Sequence, residues 1–576
     1  MVALNGRRIA QHGSVEGKRM KKFGPVLVAL FIAVLLTLFA TTPPKAIPAN
    51  ASAPSFSAIR AMADVRTMAK NPHVTGSAEN AVVRDHIMRR MEALGMEVST
   101  STGLIDAKGT KRLNHWSGRN DLPATLVNLI GILPGKNPSA PSVVLMSHHD
   151  TVWGSPGAAD DTAGVAASLE VVRAIRARGQ QERDLVMLVT DGEELGLQGA
   201  RQFWADHPLR KSVGAVINME ARGGGGRTTL FQTSHQNGAA MQVYADAVRR
   251  PGASSLAAFI YAVLPNDSDL TPVIKHDYAA YNFAFIGRSG LYHSPMATPD
   301  SLDQGSLQDM GGQVLDLTDA LVKADKLPQR AADAVFFDLF GIFTVIYPVW
   351  LGWVMMTIAA GGMLWVVRQD GTGGLTAGAG RMLALILGSA AILFALNRLS
   401  LGLAPANYYD RLAAIPLLEA MVALGSLAAF LVLFATWRPS RVGVVGAALP
   451  LFIIGLAAQA LAPAAAYFLV LPLLLTTFAL LARHAAVQIA IMALVGGYML
   501  SLGHQLMQGL GPTLPFAVAL PLALAAISAL PIWPGMEARK ARAIAVAALL
   551  GASSVSLWVL LDAPAASRAV YSDSKQ

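Results

Sequence analysis

Apolar residues follow two regimes along this chain. Between Leu126 and Ile286 they come in short runs divided by polar stretches, whereas beyond residue 336 they come in runs of about 20. The short runs Leu126–Leu133, Val143–Met146, Leu185–Val189, Val213–Ile217 and Phe283–Ile286 have the length of strands. Ala163–Arg178 and Gln198–Asp206 have helical spacing between them, as do Arg84–Gly95 ahead of the first run and Ser306–Lys326 behind the last. Strands alternating with helices predict an α/β fold, a mixed, mostly parallel sheet sandwiched by helices.

The long runs recur at about 339–367, 382–402, 412–436, 442–462, 464–482, 485–503, 513–533 and 543–561, each near the ~20 residues that cross a hydrocarbon layer. They predict an all-α membrane domain of about eight helices over 336–562, followed by a tail at 563–576. A further run, Phe23–Ala40, follows Lys18-Arg19-Met20-Lys21-Lys22. It exceeds a signal core of about 7 to 15 residues and reads as an uncleaved anchor over 23–40, with Ala49-Asn50-Ala51 as an alternative processing site. Residues 1–22 then form a basic cytoplasmic amino terminus, 41–57 a linker rich in Pro, Ala and Ser, and 58–330 the globular domain.

Charge sharpens this division. Residues 336–576 hold 12 of the 46 Lys and Arg and 7 of the 37 Asp and Glu, so the soluble part lies before them. The net charge of +9 is carried in part by basic residues beside apolar runs, which favours a lipid bilayer over nucleic acid as the partner. With the amino terminus in the cytoplasm, the inner loops carry Arg368, Arg381, Arg438, Arg441, Arg483, Arg539, Lys540 and Arg542, and the outer short loops little beyond Arg411. The globular domain then faces away from the cytoplasm, periplasmic in a bacterium and lumenal in a eukaryote. Zero cysteines exclude disulfides, thiolate ligands and a cysteine nucleophile. Oligomeric state is left open.

Five clusters carry candidate chemistry: Ser147-His148-His149-Asp150-Thr151, Gly157-Ala158-Ala159-Asp160-Asp161, Asp191-Gly192-Glu193-Glu194, Asn218-Met219-Glu220 and Tyr292-His293-Ser294. Imidazole and carboxylate suit zinc, and a catalytic zinc keeps a coordination position open. Five ligands serve two ions if one carboxylate bridges them, which sets the ions roughly 3.5 to 4 Å apart. Asp160 is the expected bridge, with His148 and Glu220 on one Zn2+ and Glu194 and His293 on the other. Glu193 is then free to act as the general base, taking a proton from water shared between the ions and passing it to a leaving amine. Asp150, two residues past His148, suits the carboxylate that accepts a ligand histidine's other N–H. His149 alternates to the opposite strand face and is no expected ligand. His86, His115, His207, His235 and His276 read as surface or packing residues, and Gly223–Gly226 as a turn near the site.

This ordered set resembles the co-catalytic di-zinc aminopeptidase family, which includes secreted bacterial aminopeptidases, glutamate carboxypeptidases and the multi-span endoplasmic reticulum metallopeptidase. The family's His-x-Asp falls on His148 and Asp150, its bridging aspartate on Asp160, its paired glutamates on Glu193 and Glu194, and its remaining ligands on Glu220 and His293. Glu220 stands where many members have Asp. The resemblance implies a cis peptide at Asp160-Asp161, and Gly223–Gly226 with Pro265-Asn266-Asp267-Ser268-Asp269-Leu270 look like the multi-span branch. It covers roughly residues 58–330.

The resulting expectation is a membrane-anchored di-zinc metallopeptidase hydrolysing peptide substrates, most simply an aminopeptidase, with two Zn2+ per chain. Two alternatives are a transporter or scaffold whose exported domain only binds a ligand, and a related zinc amidohydrolase or glutaminyl cyclase.

Overall fold

The computed structural model describes residues 23–120, 123–403, 407–510 and 513–562; the expected amino-terminal segment 1–22 and tail 563–576 lie outside the described residues. The chain divides into two compact units. One holds residues 41–349 together with the short segment 407–415, the other residues 23–40, 350–403 and 416–562.

The first unit is built on a seven-stranded sheet in the order β1-β2-β4-β3-β5-β7-β6. Its strands are β1 Glu97–Leu104, β2 Thr125–Leu133, β3 Ser142–His148, β4 Leu185–Thr190, β5 Val213–Ala221, β6 Gly225–Thr233 and β7 Ala279–Gly287. The four central strands β4, β3, β5 and β7 run parallel, and β1, β2 and β6 pair antiparallel at the two sides. Side chains alternate across the central strands: Val143, Leu145, Met187, Val189 and Ile217 enter one core, while Val144, Met146, Val186, Leu188 and Val216 enter the other. Burial on both faces is why these strands read as continuous apolar runs. Each such leucine or valine taken fully out of water contributes about 1.5–3 kcal/mol.

Helices cover both faces. After α1 Phe23–Thr41, which belongs mainly to the second unit, the helices of this unit are in chain order α2 Ala58–Met68, α3 Ala78–Ala93, α4 Ala107–Ser117, α5 Thr162–Ala177, α6 Gln198–Asp206, α7 Gly238–Ala247, α8 Ser255–Val263, α9 Leu270–Val273 and α10 Gln304–Lys323. Helix α5, rich in Ala and Val, is buried along nearly its whole length and follows β3 in a right position to cover the parallel core. Two edge strands escape the apolar pattern. β1 reads Glu-Val-Ser-Thr-Ser-Thr-Gly-Leu and is largely solvated, and β6 begins inside the glycine stretch expected to be a turn.

Two boundaries differ from the sequence expectation. The segment 41–57 is fastened to the globular unit, because Arg60 donates to the carbonyls of Ala49 (2.8 Å), Ala51 (3.0 Å) and Ser55 (2.6 Å), and Arg173 to that of Ala53 (2.7 Å). Those bonds use backbone carbonyls, which composition does not reveal. At the other end, the unit runs past residue 330 through a hairpin, β8 Ala334–Leu339 and β9 Phe343–Pro348, so the apolar stretch expected from 339 becomes helix only at Leu351. Phe340 and Gly341 at positive φ (54° and 73°) make the turn, and β-branched and aromatic residues carry both strands, features invisible to a hydropathy window.

The second unit contains α1 and the helices α11 Leu351–Asp370, α12 Leu375–Leu401, α14 Ile415–Phe434, α15 Arg441–Leu461, α16 Tyr467–Ala482, α17 Ala485–Leu510, α18 Ala519–Ala529 and α19 Ala538–Leu561, with α13 Tyr408–Ala413 falling in the first unit. Among the described residues eight helical segments are long and apolar enough to cross a membrane, α1 and seven of the later ones; α16 is apolar but shorter. α12 and α15 pack through small residues: a Cβ on Gly378 would lie 2.1 Å from the Gly443 carbonyl, and one on Gly446 2.2 Å from that of Leu375. Glu419 on α14 accepts from Gln508 of α17 (2.9 Å) and lies 2.9 Å from His504.

Candidate metal centre

The four parallel strands end on one rim, the place where open α/β sheets carry ligands. His148 is the last residue of β3, and Glu220 the last but one of β5. Asp160 and Asp161 precede α5, Glu193 and Glu194 follow β4, and His293 follows β7 after a short 3-10 turn at Ser289–Leu291. His148 Nε2 lies 3.1 Å from Asp160 Oδ1 and 3.9 Å from Glu220 Oε2. His293 Nε2 lies 3.1 Å from Asp160 Oδ2 and 3.1 Å from Glu194 Oε1. One Asp160 oxygen therefore faces each imidazole. Potential ligand atoms fall within 4.8 Å of one another in three groups: His148, Asp160 and Glu220; Asp160, Glu194 and His293; and His148, Glu193 and Glu194.

The backbone is shaped for this convergence. Asp150 ties β3 to the loop after β4, since its carboxylate accepts the backbone N–H groups of Glu193 (3.0 Å) and Glu194 (3.2 Å). It also faces His148: Nδ1 lies 3.0 Å from the Asp150 carbonyl and 3.4 Å from its Oδ1. Asp161 caps α5 by accepting from Gly164 N (3.1 Å), and its other oxygen accepts from His148 N (3.2 Å). The Asp160-Asp161 peptide is cis. Gly157, at φ +64°, passes so close that a Cβ there would lie 2.6 Å from the Asp160 carbonyl. His293 itself adopts φ +54°, a left-handed conformation uncommon for residues other than glycine, and Tyr292 stacks on it with ring centres 3.7 Å apart.

Electrostatics decide what this cluster suits. Burial pushes the Glu220 carboxyl up to about 8, with the neighbouring charges of Asp160 and Asp269 adding to the shift. Burial likewise raises Glu193 and Glu194, reinforced by their acidic neighbours. For Asp160 burial acts in the same direction, but hydrogen bonds from His148 and His293 outweigh it and hold the group at about 2. Burial opposes a proton on His148, yet Asp150 and Asp160 together raise that imidazole well above its usual value. So many carboxylates around two imidazoles are costly unless cations sit among them. An all-nitrogen and oxygen donor set with one carboxylate, that of Asp160, presenting an oxygen to each of two triads fits zinc.

Two neighbours stay outside the cluster. His149 lies with Nε2 2.9 Å from the Val127 carbonyl and Nδ1 3.1 Å from Asn80 Nδ2, and Asp191 accepts from Thr75 (2.9 Å) and Val127 N (3.0 Å). Other groups at the site were not singled out from sequence. Asp269 is buried, accepts the Thr190 hydroxyl, has its second oxygen without a hydrogen-bond partner and is raised to about 6 by burial. Its only sequence signal was its place in the Pro265–Leu270 segment. Tyr409 lies on α13, more than a hundred residues past His293, with its hydroxyl 3.5 Å from His293 Nδ1. No spacing rule links the two positions.

The family model described as peptidase family M28 matches residues 128–318, the span that holds all five clusters. The chain carries an M28 peptidase domain. This domain is similar to endoplasmic reticulum metallopeptidase 1 of Rattus norvegicus, 30% identical over 292 residues, which are 48% of this chain and 32% of the relative. It is also similar to the vacuolar membrane protease of Eremothecium gossypii, 29% identical over 297 residues, 49% of this chain and 29% of the relative. The match thus spans about a third of the length of these curated relatives. Among solved structures, a zinc aminopeptidase from Bacillus subtilis covers 48% of this chain and 98% of its own at 15% identity and TM-score 0.38. A glutaminyl cyclase from Porphyromonas gingivalis covers 46% and 98% at 19% identity and TM-score 0.37. The matched family is one of peptidases, and among the described residues eight helical segments of this chain are long and apolar enough to cross a membrane.

Proposed function

We propose that this chain is a membrane-anchored di-zinc aminopeptidase, with the peptidase domain on the non-cytoplasmic side. The observation that carries the reading is Asp160, whose two carboxylate oxygens face two different imidazoles at 3.1 Å each. His148 and Glu220 would hold one ion and Glu194 and His293 the other, with Asp160 between them. When bound, the zinc ions supply Lewis acidity, polarising the scissile carbonyl and making water a usable nucleophile at neutral pH.

The chain's own residues do the rest. Glu193 stands within ligand distance of His148 and Glu194 yet belongs to neither Asp160 triad. It is the general base, accepting the proton of the attacking water and delivering it to the nitrogen of the departing amine. Asp150 holds His148 Nδ1, which fixes the ring and leaves Nε2 for the ion. Asp269, buried with an unpartnered oxygen beside Glu193 and Glu220, leaves the site with negative charge beyond what the five ligands use. A cationic amino terminus suits that surplus better than a carboxylate, which supports aminopeptidase over carboxypeptidase action. The basic residues at the expected inner loops support the non-cytoplasmic side.

The test is release of single residues from a peptide library carrying free and blocked amino termini, by the full chain loaded with zinc. Stepwise release from free amino termini alone is expected. Equal cleavage of blocked peptides would overturn the aminopeptidase assignment, and cyclisation of amino-terminal glutamine with one metal per chain would replace it.

A further inference from the structure

The segment joining α12 to α14 clusters with the peptidase domain, although the helices on either side of it belong to the other unit. Two spans, α11 and α12, separate it from the domain in sequence, so a chain that crosses twice returns it to the domain's side of the membrane. Asn407 opens α13 by accepting from Tyr409 N (2.9 Å). Helix α13 then lies against the turn Ser289–Leu291 so closely that a Cβ on Gly290 would stand 2.7 Å from Ala413 Cα. Leu412 and Arg411 are buried there.

This segment reaches both ends of the ligand set. Tyr409 packs its ring beside the apolar cluster of Ile105, Trp116, Leu126, Val152 and Leu195 and points its hydroxyl at His293 Nδ1, 3.5 Å away. Its ring centre lies 6.1 Å from that of His293 and 6.4 Å from that of Tyr292. Tyr408 accepts a hydrogen bond from Arg222, two residues past Glu220, and the guanidinium lies 5.9 Å from the Tyr408 ring and 6.0 Å from that of Tyr292. A ligand histidine is normally fixed through the nitrogen it does not give to the metal. For His148 that nitrogen meets Asp150, from the same strand end. For His293 it meets a phenol borne between two membrane helices.

We propose that Tyr409 is a positioning residue for His293, so that zinc affinity on the His293 side depends on the segment 407–414 supplied by the membrane-spanning part of the chain. The proposal rests on the di-zinc reading of the site. His293 in a left-handed backbone conformation has no strand ladder to hold it, and the phenol accepting from Nδ1–H would fix both tautomer and ring angle. A peptidase domain severed before α11 would retain every ligand and lack this support.

The test uses the full chain in detergent micelles, comparing wild type, Tyr409→Phe and His293→Ala by chelator competition for zinc, melting of the metal-free protein, and turnover at graded free zinc. Tyr409→Phe keeps the ring against its apolar cluster and removes only the hydroxyl. Expected is a roughly tenfold weakening of one of the two zinc ions, the same one that His293→Ala loses, with unchanged metal-free melting and turnover restored by excess zinc. A competition curve matching wild type overturns the proposal while leaving the di-zinc reading intact. So does a loss of activity that zinc does not rescue, or a drop in metal-free melting, since either would make Tyr409 a packing residue. Wild type that takes up no zinc overturns both.

Discussion

The His148 and His293 halves of the candidate metal centre hold like side chains by unlike means. His148 closes a buried central strand, its backbone N–H bonded to Asp161 and its ring to Asp150, all within 14 residues. His293 hangs on an irregular loop beyond β7, at φ +54°, stacked on Tyr292 and faced by Tyr409 from a distant segment. In the proposed assignment Asp160 is the ligand common to the two halves. On the reading proposed above, one imidazole is held by groups close in sequence and the other by a group from far along the chain, and the two should fail differently.

Asp160→Asn removes the shared element and is expected to have the largest effect, loss of both metal ions and of all measurable turnover, checked by metal content and peptide assay. Retention of one tightly held ion would show that the halves are independent and that Asp160 is no bridge. Glu193→Gln is next. It should keep both metals and lower kcat on the order of a thousandfold, the scale of a lost general base. Wild-type turnover in that variant would remove the assigned role.

Asp150→Asn should touch the His148 half selectively, weakening one zinc ion by about 10- to 100-fold in chelator competition. Because Asp150 also accepts from the backbone of Glu193 and Glu194, some loss on the other ion is expected, smaller than the first. Equal weakening of both would mean that Asp150 supports the two halves alike.

The smallest effect is one of pH on the metal-free protein. Glu220 titrates at about 8 when buried, against an ordinary 4.5, so the folded state binds its proton more tightly than the unfolded chain does. That contribution favours folding at pH below the ordinary value and is lost as pH rises toward 8. Metal-free protein should therefore melt lower by at least about 5 °C on going from pH 5 to pH 8, and zinc should reverse the loss at pH 8. Melting independent of pH over that window would mean that burial does not hold the proton on Glu220 in the metal-free protein.

Sequence made the His148 half legible and the His293 half only partly so. β3, β4 and β5 are apolar runs with a polar residue at each carboxyl end, so periodicity locates His148, Glu193, Glu194 and Glu220 on one rim once the strands are taken as parallel. The edge strands β1 and β6 bury one side or less and carry threonine, serine and glycine, which leaves no apolar signal. The second hairpin strand, Phe343–Pro348, falls inside the first long apolar run, because a hydropathy window weighs Val345 and Ile346 as it would a span. Asp269 and Tyr409 reach the site through tertiary folding alone, the first from the loop before α9 and the second from between α12 and α14. Such placement leaves Asp269 no trace beyond its place in the Pro265–Leu270 segment, and Tyr409 none.

Whether Asp160 bridges two ions is decided by the metal content of the purified chain equilibrated with zinc and freed of excess, measured per chain beside Asp160→Asn. Two zinc ions in the wild type and none in the variant are predicted. One ion or none in the wild type, or an unchanged count in the variant, would contradict a centre bridged by Asp160.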